Sequence, residues 1–334
     1  MNRKIIISIA LLFVFVYGLL HKDSKREKLS INRSNDWAIA LHGGAGEIPP
    51  DLDSNLRQSY EQALSSALDI GQEILASGGS AVDAVEQVVR FLEDEPLFNA
   101  GRGAVLNERG DFELDASIMD GRDLSCGAVV GIEHAKHPVS AARKVMEKSP
   151  HVMMAKYGGE LLLDDEKEWA PSDYFFTMER YEQWQRVSEQ GTVGLDHWED
   201  GKLGTVGCVA KDSQGNLAAA TSTGGLVNKA IGRVGDSAVI GAGTYADNAT
   251  CAVSCTGKGE EFIRYTAASL VSHLMRYGGR SLEEAAEEVL THRTGAHSGG
   301  MIGVDKDGAL LLHYNTSGMF RAAADSSSYR FVGV

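Results

Sequence analysis

The run Gly204-Thr205-Val206-Gly207-Cys208-Val209-Ala210 joins a threonine to an apolar stretch that predicts a buried strand. A second predicted strand leads into Ala220-Thr221-Ser222-Thr223-Gly224-Gly225, and Asp212-Ser213-Gln214-Gly215 separates the two. The separating residues are typical of a tight turn, so the sequence predicts a hairpin with strands over 205–211 and 216–222. Thr205 opens the first strand, and a rigid element suits a residue whose position must be fixed.

Blocks of helices and strands follow one another over the rest of the chain. A buried strand over 37–41 ends in His42-Gly43-Gly44-Ala45-Gly46, and apolar residues at helical spacing predict a helix over 53–77. Ser80 with Asp83 resembles a capping pair that opens a second helix ending near 93. The further predicted elements are strands over 112–119, 124–133, 239–241 and 252–255, helices over 139–148, 259–276 and 281–292, and a hairpin of 301–304 with 309–314. This order predicts an α+β fold with helical layers around stacked sheets.

The composition fits an ordinary globular protein and argues against some partners. The chain has 334 residues, of which 43% are hydrophobic and 23% are charged. Its formal net charge of −14 argues against nucleic acid as a partner, because phosphate binding needs clustered Lys and Arg. The four cysteines include no CxxC pair, which favours small buried apolar residues over a metal site.

The first residues carry an export pattern. Arg3 and Lys4 precede the run Ile5–Leu20, which contains sixteen residues and no charge. This pattern predicts a signal peptide or an uncleaved signal anchor, with a linker after it, over 1–36. We therefore expect an exported protein that is either periplasmic or otherwise extracytoplasmic, or anchored to the membrane by residues 5–20.

Residues 158–204 are strongly acidic and show weak apolar periodicity. Such a stretch predicts an exposed, mobile linker in which a chain break is tolerated. The linker would end at the Gly204–Thr205 bond, directly before the rigid hairpin.

The motifs occur in an order that resembles a known family. Gly-Thr-Val-Gly at 204–207, Thr-Ser-Thr-Gly-Gly at 221–225 and Gly-Arg-Val-Gly-Asp-Ser at 232–237 resemble the signature of plant-type asparaginases, or isoaspartyl peptidases. These enzymes are N-terminal-nucleophile hydrolases. The resemblance also takes in residues 42–46, 97–101, 114–116, 241–246, 256–257 and 299–300, so it covers essentially 37–334.

The resemblance implies a four-layer αββα sandwich that forms from one precursor. The precursor would cut itself between Gly204 and Thr205 into an alpha subunit, 37–204, and a beta subunit, 205–334, which together make one folded domain. Members of the family usually assemble as a dimer of such heterodimers. We expect no cofactor for catalysis.

Thr205 is the residue that the resemblance implies as the nucleophile. The cut would free its α-amine, whose unperturbed pKa is roughly 7.7–8.0, so the amine can take the hydroxyl proton without a distant histidine. The tetrad recurs as Gly191-Thr192-Val193-Gly194, but the polar residues over 195–200 that follow it do not predict a strand. This difference favours Thr205.

The other site residues are implied by their positions in the same motifs. Thr223 would orient the Thr205 hydroxyl, and Thr221 would share its face of an extended strand. Arg233 suits the carboxylate and Asp236 the ammonium group of an amino-acid substrate. The remaining predicted roles are oxyanion stabilisation and substrate contact by the Thr256 hydroxyl and the Gly257 N–H, a backbone contact by Gly259, and an active-site asparagine at Asn99.

The loop over 92–102 resembles the sodium-binding loop of the family. Backbone carbonyls would be the ligands, and hard oxygen ligands suit such a cation. The predicted structural Na+ site consists of the carbonyls of Leu92, Glu93, Glu95, Phe98, Ala100 and Arg102.

The expected activity is that of an autoprocessing threonine hydrolase with a small amino-acid or dipeptide substrate. It would cleave β-aspartyl dipeptides and the side-chain amide of L-asparagine and release L-aspartate. The sequence leaves two alternatives open. One is N4-(β-N-acetylglucosaminyl)-L-asparaginase, although that branch typically has Asn-Gly where this chain has Gly224-Gly225. The other is a non-catalytic, membrane-tethered binding module of the same fold.

Overall fold

Two β-sheets lie face to face at the centre of the fold, in a computed structural model that describes residues 29–31, 36–49, 51–163, 165–193 and 204–334. The larger sheet has the strand order β13 (Arg330–Gly333), β12 (Gly318–Asp325), β2 (Ala38–Gly46), β6 (Val206–Lys211), β7 (Leu217–Thr223), β3 (Leu114–Asp120), β4 (Cys126–Ile132) and β5 (Met153–Ala155). The smaller sheet has the order β1 (Leu29–Ile31), β11 (Leu310–Tyr314), β10 (Gly299–Asp305), β9 (Cys251–Gly257) and β8 (Thr244–Ala246). Only β4 and β5 pair in parallel among these described strands.

Helices cover the outer face of each sheet. The first group, α1 (Ser54–Ala76), α2 (Ala81–Asp94) and α3 (Pro138–Lys148), packs on the eight-stranded sheet. Next along the chain come α4 (Tyr157–Glu160), α5 (Met178–Glu189) and α6 (Gly259–Tyr265). Finally α7 (Ala267–Gly278) and α8 (Leu282–Glu287), which continues into a π-helical turn over Glu288–Arg293, pack on the five-stranded sheet. The result is the predicted αββα sandwich.

Local sequence explains where the helices of the first group begin. The Asp53 side chain accepts from the backbone N–H groups of Asn55 and Leu56, which caps α1. The Ser80 side chain accepts from the Asp83 N–H, as the capping pair predicts, and α2 starts one residue later.

Small side chains separate the two sheets. The layer between them contains many alanines, among them Ala40 of β2, Ala219 of β7 and Ala252 of β9. Larger side chains such as Leu64, Val88 and Phe98 fill the layer between the eight-stranded sheet and its helices. The small side chains between the sheets allow β6, β7 and β9 to lie close together.

Several predicted elements differ in detail. Residues 239–241 form a turn instead of a strand, because the N–H groups of Val239 and Gly243 both donate to the Asp236 carbonyl. The helix predicted over 259–276 breaks at Thr266, whose φ is +46°. The strands β5, β8, β12 and β13 were not predicted, and neither was β1, which lies within the predicted linker of residues 1–36.

The acidic segment is part of the folded body. The prediction of an exposed linker is wrong for 158–189, where α4, α5 and two short 3-10 turns pack against the helical layer. Ala170, Phe175 and Arg180 are fully buried, and Glu168 pairs with Arg90 of α2. Its buried residues are scattered and lack helical spacing, so the sequence pattern did not reveal them. Residues 194–203 lie outside the described residues.

The described residues include no helix that is long and apolar enough to cross a membrane. The run Ile5–Leu20, predicted as a signal peptide or anchor, lies outside them.

Replacing Arg180 tests whether the acidic segment contributes to stability. Its buried Nε donates to the Gly103 carbonyl at 2.7 Å, so Arg180→Ala should lower the free energy of unfolding by about 1–3 kcal/mol. Urea unfolding followed by circular dichroism measures this change, with the exposed Gln185→Ala on the same helix as control. Equal midpoints for the two variants would show that α5 is not anchored to the body.

Candidate active site

Thr205 and Thr223 lie opposite each other at the open end of the β6–β7 hairpin. The antiparallel register pairs Val206 with Ser222, so the next pair is Thr205 with Thr223. The Thr205 hydroxyl donates to Thr223 Oγ1 at 3.0 Å, and the Gly225 N–H donates to the same oxygen at 2.9 Å. Both threonines are buried, so the hairpin fixes the position of the Thr205 hydroxyl.

A cavity of about 150 Å³ opens beside Thr205. This volume lies below the roughly 300–1,000 Å³ of pockets for drug-sized molecules, so it suits a small ligand. The predicted residues that line it are Asn99, Gly204, Thr205, Thr223, Arg233, Asp236, Thr256 and Gly257. Glu47, Lys258, His297 and Thr316 also line it, and the sequence analysis did not select them.

The Arg233 guanidinium stands at one wall of the cavity and is paired with Glu260. Its Nε and Nη2 donate to the two carboxylate oxygens of Glu260, each at 3.0 Å. This bidentate pair uses one edge of the guanidinium. The Nη1 group lies toward Gly225 and Gly235, on the side of the cavity.

Asp236 lies beside Arg233 and is buried. Burial raises the pKa of its carboxyl group from 3.8 to about 7, and the positive charge of Arg233 opposes this shift. Among the residues that the structure describes, Asp236 Oδ2 has no hydrogen-bond partner. A buried carboxylate oxygen without a partner at a cavity wall is suited to a cationic group of a ligand.

The predicted Gly259 lies behind Asp236 and outside the cavity lining. A Cβ at this position would stand 2.8 Å from Asp236 Oδ1 and 3.1 Å from Arg233 Nη2. Glycine therefore allows the backbone of α6 to support both charged side chains.

Thr256 and Gly257 end β9 close to the Gly204–Thr205 bond. Thr256 Oγ1 is buried, and within the described part of the chain it has no hydrogen-bond partner. It would lie 3.9 Å from a Cβ placed on Gly204. Gly257 has a φ of +139°, and a Cβ there would stand 2.1 Å from the Ser298 carbonyl oxygen, so only glycine fits.

Asn99 lines the cavity, but its side chain already has partners. Its Nδ2 donates to the Gly225 carbonyl at 2.8 Å, and its Oδ1 accepts from the Val105 N–H at 3.0 Å. Its carbonyl accepts from the Gly224 N–H at 3.0 Å. Asn99 therefore holds the turn that follows Thr223.

The loop that carries Arg233 is held by two buried side chains, Lys229 and Glu113. The sequence analysis did not select either of them. Lys229 Nζ donates to the Glu113 carbonyl at 2.7 Å, and the Glu113 carboxylate accepts from the Gly232 N–H at 3.0 Å. Burial lowers the pKa of Lys229, while the charges of Asp115 and Glu113 oppose that shift. These contacts join segments more than a hundred residues apart, so no local spacing indicates them.

His42 is a further group that the sequence analysis did not assign. It is fully buried, and its Nδ1 lies 3.1 Å from the Thr205 carbonyl oxygen. Burial lowers the pKa of the imidazole from 6.5 to about 3, so the ring is neutral. A titratable residue directly after a predicted buried strand was the signal that could have identified it.

The loop predicted to bind sodium forms a tight turn between α2 and Ala104. The Glu93 carbonyl accepts from the Arg102 N–H at 2.7 Å, and the Glu95 carbonyl accepts from the Phe98 N–H at 3.2 Å. A Cβ on Gly101 would stand 2.4 Å from the Glu93 carbonyl oxygen. A Cβ on Gly103 would stand 2.2 Å from the Phe98 carbonyl oxygen. Each of the two glycines thus lets a backbone carbonyl oxygen of the loop approach closely.

The rival threonine, Thr192, is exposed, and its carbonyl accepts from Asn228 Nδ2 at 2.7 Å. The rest of its tetrad, from Gly194 on, lies outside the described residues. The part of the chain that the structure describes contains no group of three or more His, Cys, Asp or Glu side chains arranged for a metal ion.

The chain matches a known protein family and is similar in sequence to several known proteins. Residues 35–334 match the asparaginase family. The chain is similar to the isoaspartyl peptidase of Salmonella typhimurium, with 50% identity over 297 residues that span 86% of this chain and 95% of that protein. It is similar to the probable isoaspartyl peptidase/L-asparaginase 2 of Arabidopsis thaliana, with 42% identity over 89% of this chain and 98% of that protein. The isoaspartyl peptidase/L-asparaginase of Homo sapiens is 42% identical over 89% of this chain and 96% of that protein.

The ionisation of Asp236 should make the free energy of unfolding depend on pH. The unfolded chain releases this proton near pH 3.8 and the folded chain near pH 7, so the free energy of unfolding falls as pH rises between these values. Asp236→Asn removes the ionisable group, so this decrease in the free energy of unfolding does not occur in the variant. Between pH 5 and pH 8, the stability of Asp236→Asn relative to the natural protein should grow by about 1–3 kcal/mol.

Urea unfolding of both proteins across this range measures the difference, with the exposed Glu61→Gln as control. A difference that does not change with pH would show that the Asp236 carboxyl group is ionised throughout.

Proposed function

The chain belongs to the asparaginase family, and we propose that it hydrolyses β-aspartyl dipeptides and the side-chain amide of L-asparagine to release L-aspartate. The observation that carries the proposal is the hydroxyl pair of Thr205 and Thr223 in a cavity that also holds Arg233 and Asp236. Relatives at 42–50% identity are named isoaspartyl peptidase or L-asparaginase. Their names favour this activity over the glycosylasparaginase and binding-module alternatives.

We propose that Thr205 first cuts its own chain. Its Oγ1 attacks the Gly204 carbonyl carbon, the hydroxyl proton passes to the Thr205 nitrogen, and the acyl group moves from this nitrogen to the oxygen. The resulting ester joins Gly204 to the Thr205 side chain and leaves the α-amine free. Water then hydrolyses the ester to a Gly204 carboxylate and a restored hydroxyl. The Thr256 hydroxyl near Gly204, which has no hydrogen-bond partner among the residues that the structure describes, supports this step, because it can donate to the oxyanion that forms there.

In turnover, the free α-amine of Thr205 takes the proton of its own hydroxyl. The oxygen attacks the side-chain carbonyl carbon of the substrate, and the negative charge develops on the carbonyl oxygen beside Thr256 and Gly257. The proton passes to the leaving nitrogen, which departs as ammonia or as the amine of an amino acid. Water then hydrolyses the β-aspartyl ester and releases L-aspartate. Thr223 accepts from this hydroxyl in the uncut chain and so fixes the position of the oxygen; the hydrogen turns from Thr223 to the amine for the proton transfer.

Arg233 and Asp236 hold the α-carboxylate and the α-ammonium group of the aspartyl portion. Glu260 occupies the Nε–Nη2 edge of Arg233, so a substrate carboxylate would meet the Nη1 group. Asp236 Oδ2, which has no partner within the described residues, would accept from the ammonium group. A positive ligand charge beside Asp236 also favours the ionised carboxylate, because opposite charges stabilise each other at short range.

We also propose that the loop over 92–102 holds a structural Na+ through backbone carbonyls. The cation would supply no chemistry to the reaction. It would fix the turn that carries Asn99, and Asn99 in turn bonds to Gly224 and Gly225 behind Thr223.

We also propose that the protein is exported or anchored to the membrane, and that it assembles as a dimer of heterodimers. The uncharged run Ile5–Leu20 after Arg3 and Lys4 supports export or membrane anchoring. The family supports a dimer of heterodimers.

Thr205→Ala should abolish both chain cleavage and turnover. It removes the attacking oxygen of both steps, so we expect kcat to fall by at least about a thousandfold. Intact mass shows cleavage, and N-terminal sequencing of the natural protein should find a chain that begins Thr-Val-Gly-Cys. The substrates are L-asparagine, β-aspartyl-leucine and a glycosylated asparagine, of which only the first two should be hydrolysed efficiently.

Thr192→Ala is the matched control and should be cleaved and active. A cleaved and active Thr205→Ala, or a chain that begins Thr-Val-Gly-Leu, would contradict the assignment of Thr205. Preferred hydrolysis of the glycosylated substrate would identify the alternative activity.

Replacing NaCl by tetramethylammonium chloride tests the sodium proposal. If Na+ fixes the turn behind Thr223, kcat/KM should fall by about tenfold, because small displacements of catalytic groups are costly. Tm should fall as well, and added NaCl should restore both quantities at constant ionic strength. Unchanged activity and Tm in the absence of Na+ would refute the site.

A further inference from the structure

A buried chain of hydrogen bonds begins at the carbonyl of Thr205. His42 Nδ1 lies 3.1 Å from this carbonyl oxygen, and His42 Nε2 lies 3.0 Å from Ser254 Oγ. Ser254 Oγ lies 2.7 Å from Thr221 Oγ1, which lies 2.6 Å from Thr244 Oγ1. The chain runs through the layer between the two sheets, and every member of it is buried.

The chain ends at the loop that carries Asp236. Ser117 Oγ lies 2.8 Å from Thr244 Oγ1 and 2.6 Å from the Ser237 carbonyl oxygen. Ser237 directly follows Asp236, so a continuous set of contacts joins Thr205 to the loop that would bind the substrate ammonium group.

The protons of the chain have one consistent direction. The Thr205 carbonyl can only accept, so His42 Nδ1 carries the ring hydrogen and the neutral ring accepts at Nε2. Ser254 therefore donates to His42, Thr221 donates to Ser254, and Thr244 donates to Thr221. The single hydrogen of Ser117 is shared between the Ser237 carbonyl oxygen and Thr244 Oγ1. From Thr244 to His42 each bond polarises the next, which strengthens this part of the chain as a unit.

A glycine makes room for the chain. A Cβ on Gly207 would stand 2.1 Å from Ser254 Oγ and 2.4 Å from His42 Nε2. The second glycine of the Gly-Thr-Val-Gly motif therefore lies against the bond between His42 and Ser254. A site that needed only the Thr205 nucleophile and the hairpin would not require glycine here.

We propose that His42, Ser254, Thr221, Thr244 and Ser117 form a positioning network that holds Thr205 in register with the Asp236 loop. The proposal rests on the assignment of Thr205 as the nucleophile. None of these side chains lines the cavity, so they act through Thr205 and Asp236 and do not touch the substrate.

The network matters most after the chain is cut. Thr205 then loses its covalent link to Gly204, and its main chain is held by β6 and by the His42 bond to its carbonyl. This bond restrains rotation of the residue that carries both the amine and the hydroxyl. The His42 ring is neutral in the folded protein, so it positions Thr205 and does not carry a proton.

Kinetics of variants along the chain test the proposal. Ser254→Ala leaves His42 without its donor, so kcat should fall by about ten- to a hundredfold while KM stays within about twofold. Thr244→Val breaks the chain near Ser237 and should raise KM for L-asparagine by about tenfold through the Asp236 loop. Thr244→Ser keeps the hydroxyl and should restore KM to within about twofold. All values refer to the cleaved fraction, which mass spectrometry determines.

Ser272→Ala is the matched control, because it removes another buried hydroxyl pair, Thr250 with Ser272 at 2.6 Å, outside the chain. It should lower Tm without changing kcat or KM. Natural kcat and KM in both Ser254→Ala and Thr244→Val would overturn the network. A failure of Thr244→Ser to rescue KM would overturn it as well.

The outcomes separate this proposal from the proposed function. If Thr205→Ala is inactive while Ser254→Ala and Thr244→Val match the natural enzyme, only the network fails. If Thr205→Ala is cleaved and active, the nucleophile is wrongly assigned. The proposed network is then contradicted as well, because it depends on that assignment. If Ser254→Ala does not fold, the pair Thr244→Val and Thr244→Ser decides the outcome.

Discussion

The register of the β6–β7 hairpin is the constraint on which the site depends. Because Val206 pairs with Ser222, Thr205 falls opposite Thr223 and their hydroxyls bond at 3.0 Å. A slip of one residue would turn each side chain of the strand to the other face of the sheet. It would bring Ser222, which belongs to the helical face, toward the position of Thr223. The register thus fixes the hydroxyl pair, and the tight turn over 212–215 fixes the register.

Glycines let the backbones around this hairpin approach closely. Gly207 leaves room for His42 and Ser254, and Gly259 leaves room for Asp236 and Arg233. Gly257 and Gly299 face each other across β9 and β10, where a Cβ on either would lie within 2.1 Å of a backbone oxygen. Side chains at the ends of three separate strands therefore meet in one small volume, because the glycines between them carry no side chains.

The sequence predicted the elements whose signals are local. The hairpin turn, the cap at Ser80 and the apolar stripe of α1 each lie within a few residues of the structure they determine. The resemblance supplied the site residues that share motifs with Thr205. Contacts such as His42 with Ser254, 212 residues apart, leave no periodic trace in either segment. The prediction for the acidic segment was wrong for a related reason: Arg180 is buried against the Gly103 carbonyl, 77 residues away, and the residues around Arg180 in the sequence do not indicate this contact.

Buried polar groups that would bind a ligand reduce the stability of the protein while the site is empty. Asp236 Oδ2 and Thr256 Oγ1 are buried without partners among the described residues, and each such group costs about 1–3 kcal/mol. The sandwich can tolerate this cost because two further apolar layers flank the sheets away from the site. A ligand with an ammonium group and a developing oxyanion would satisfy both atoms at once. The ammonium group satisfies Asp236 as soon as the substrate binds, whereas Thr256 gains its partner only when the oxyanion forms. Thr256 therefore favours the transition state over the bound substrate, which is the differential binding that catalysis requires.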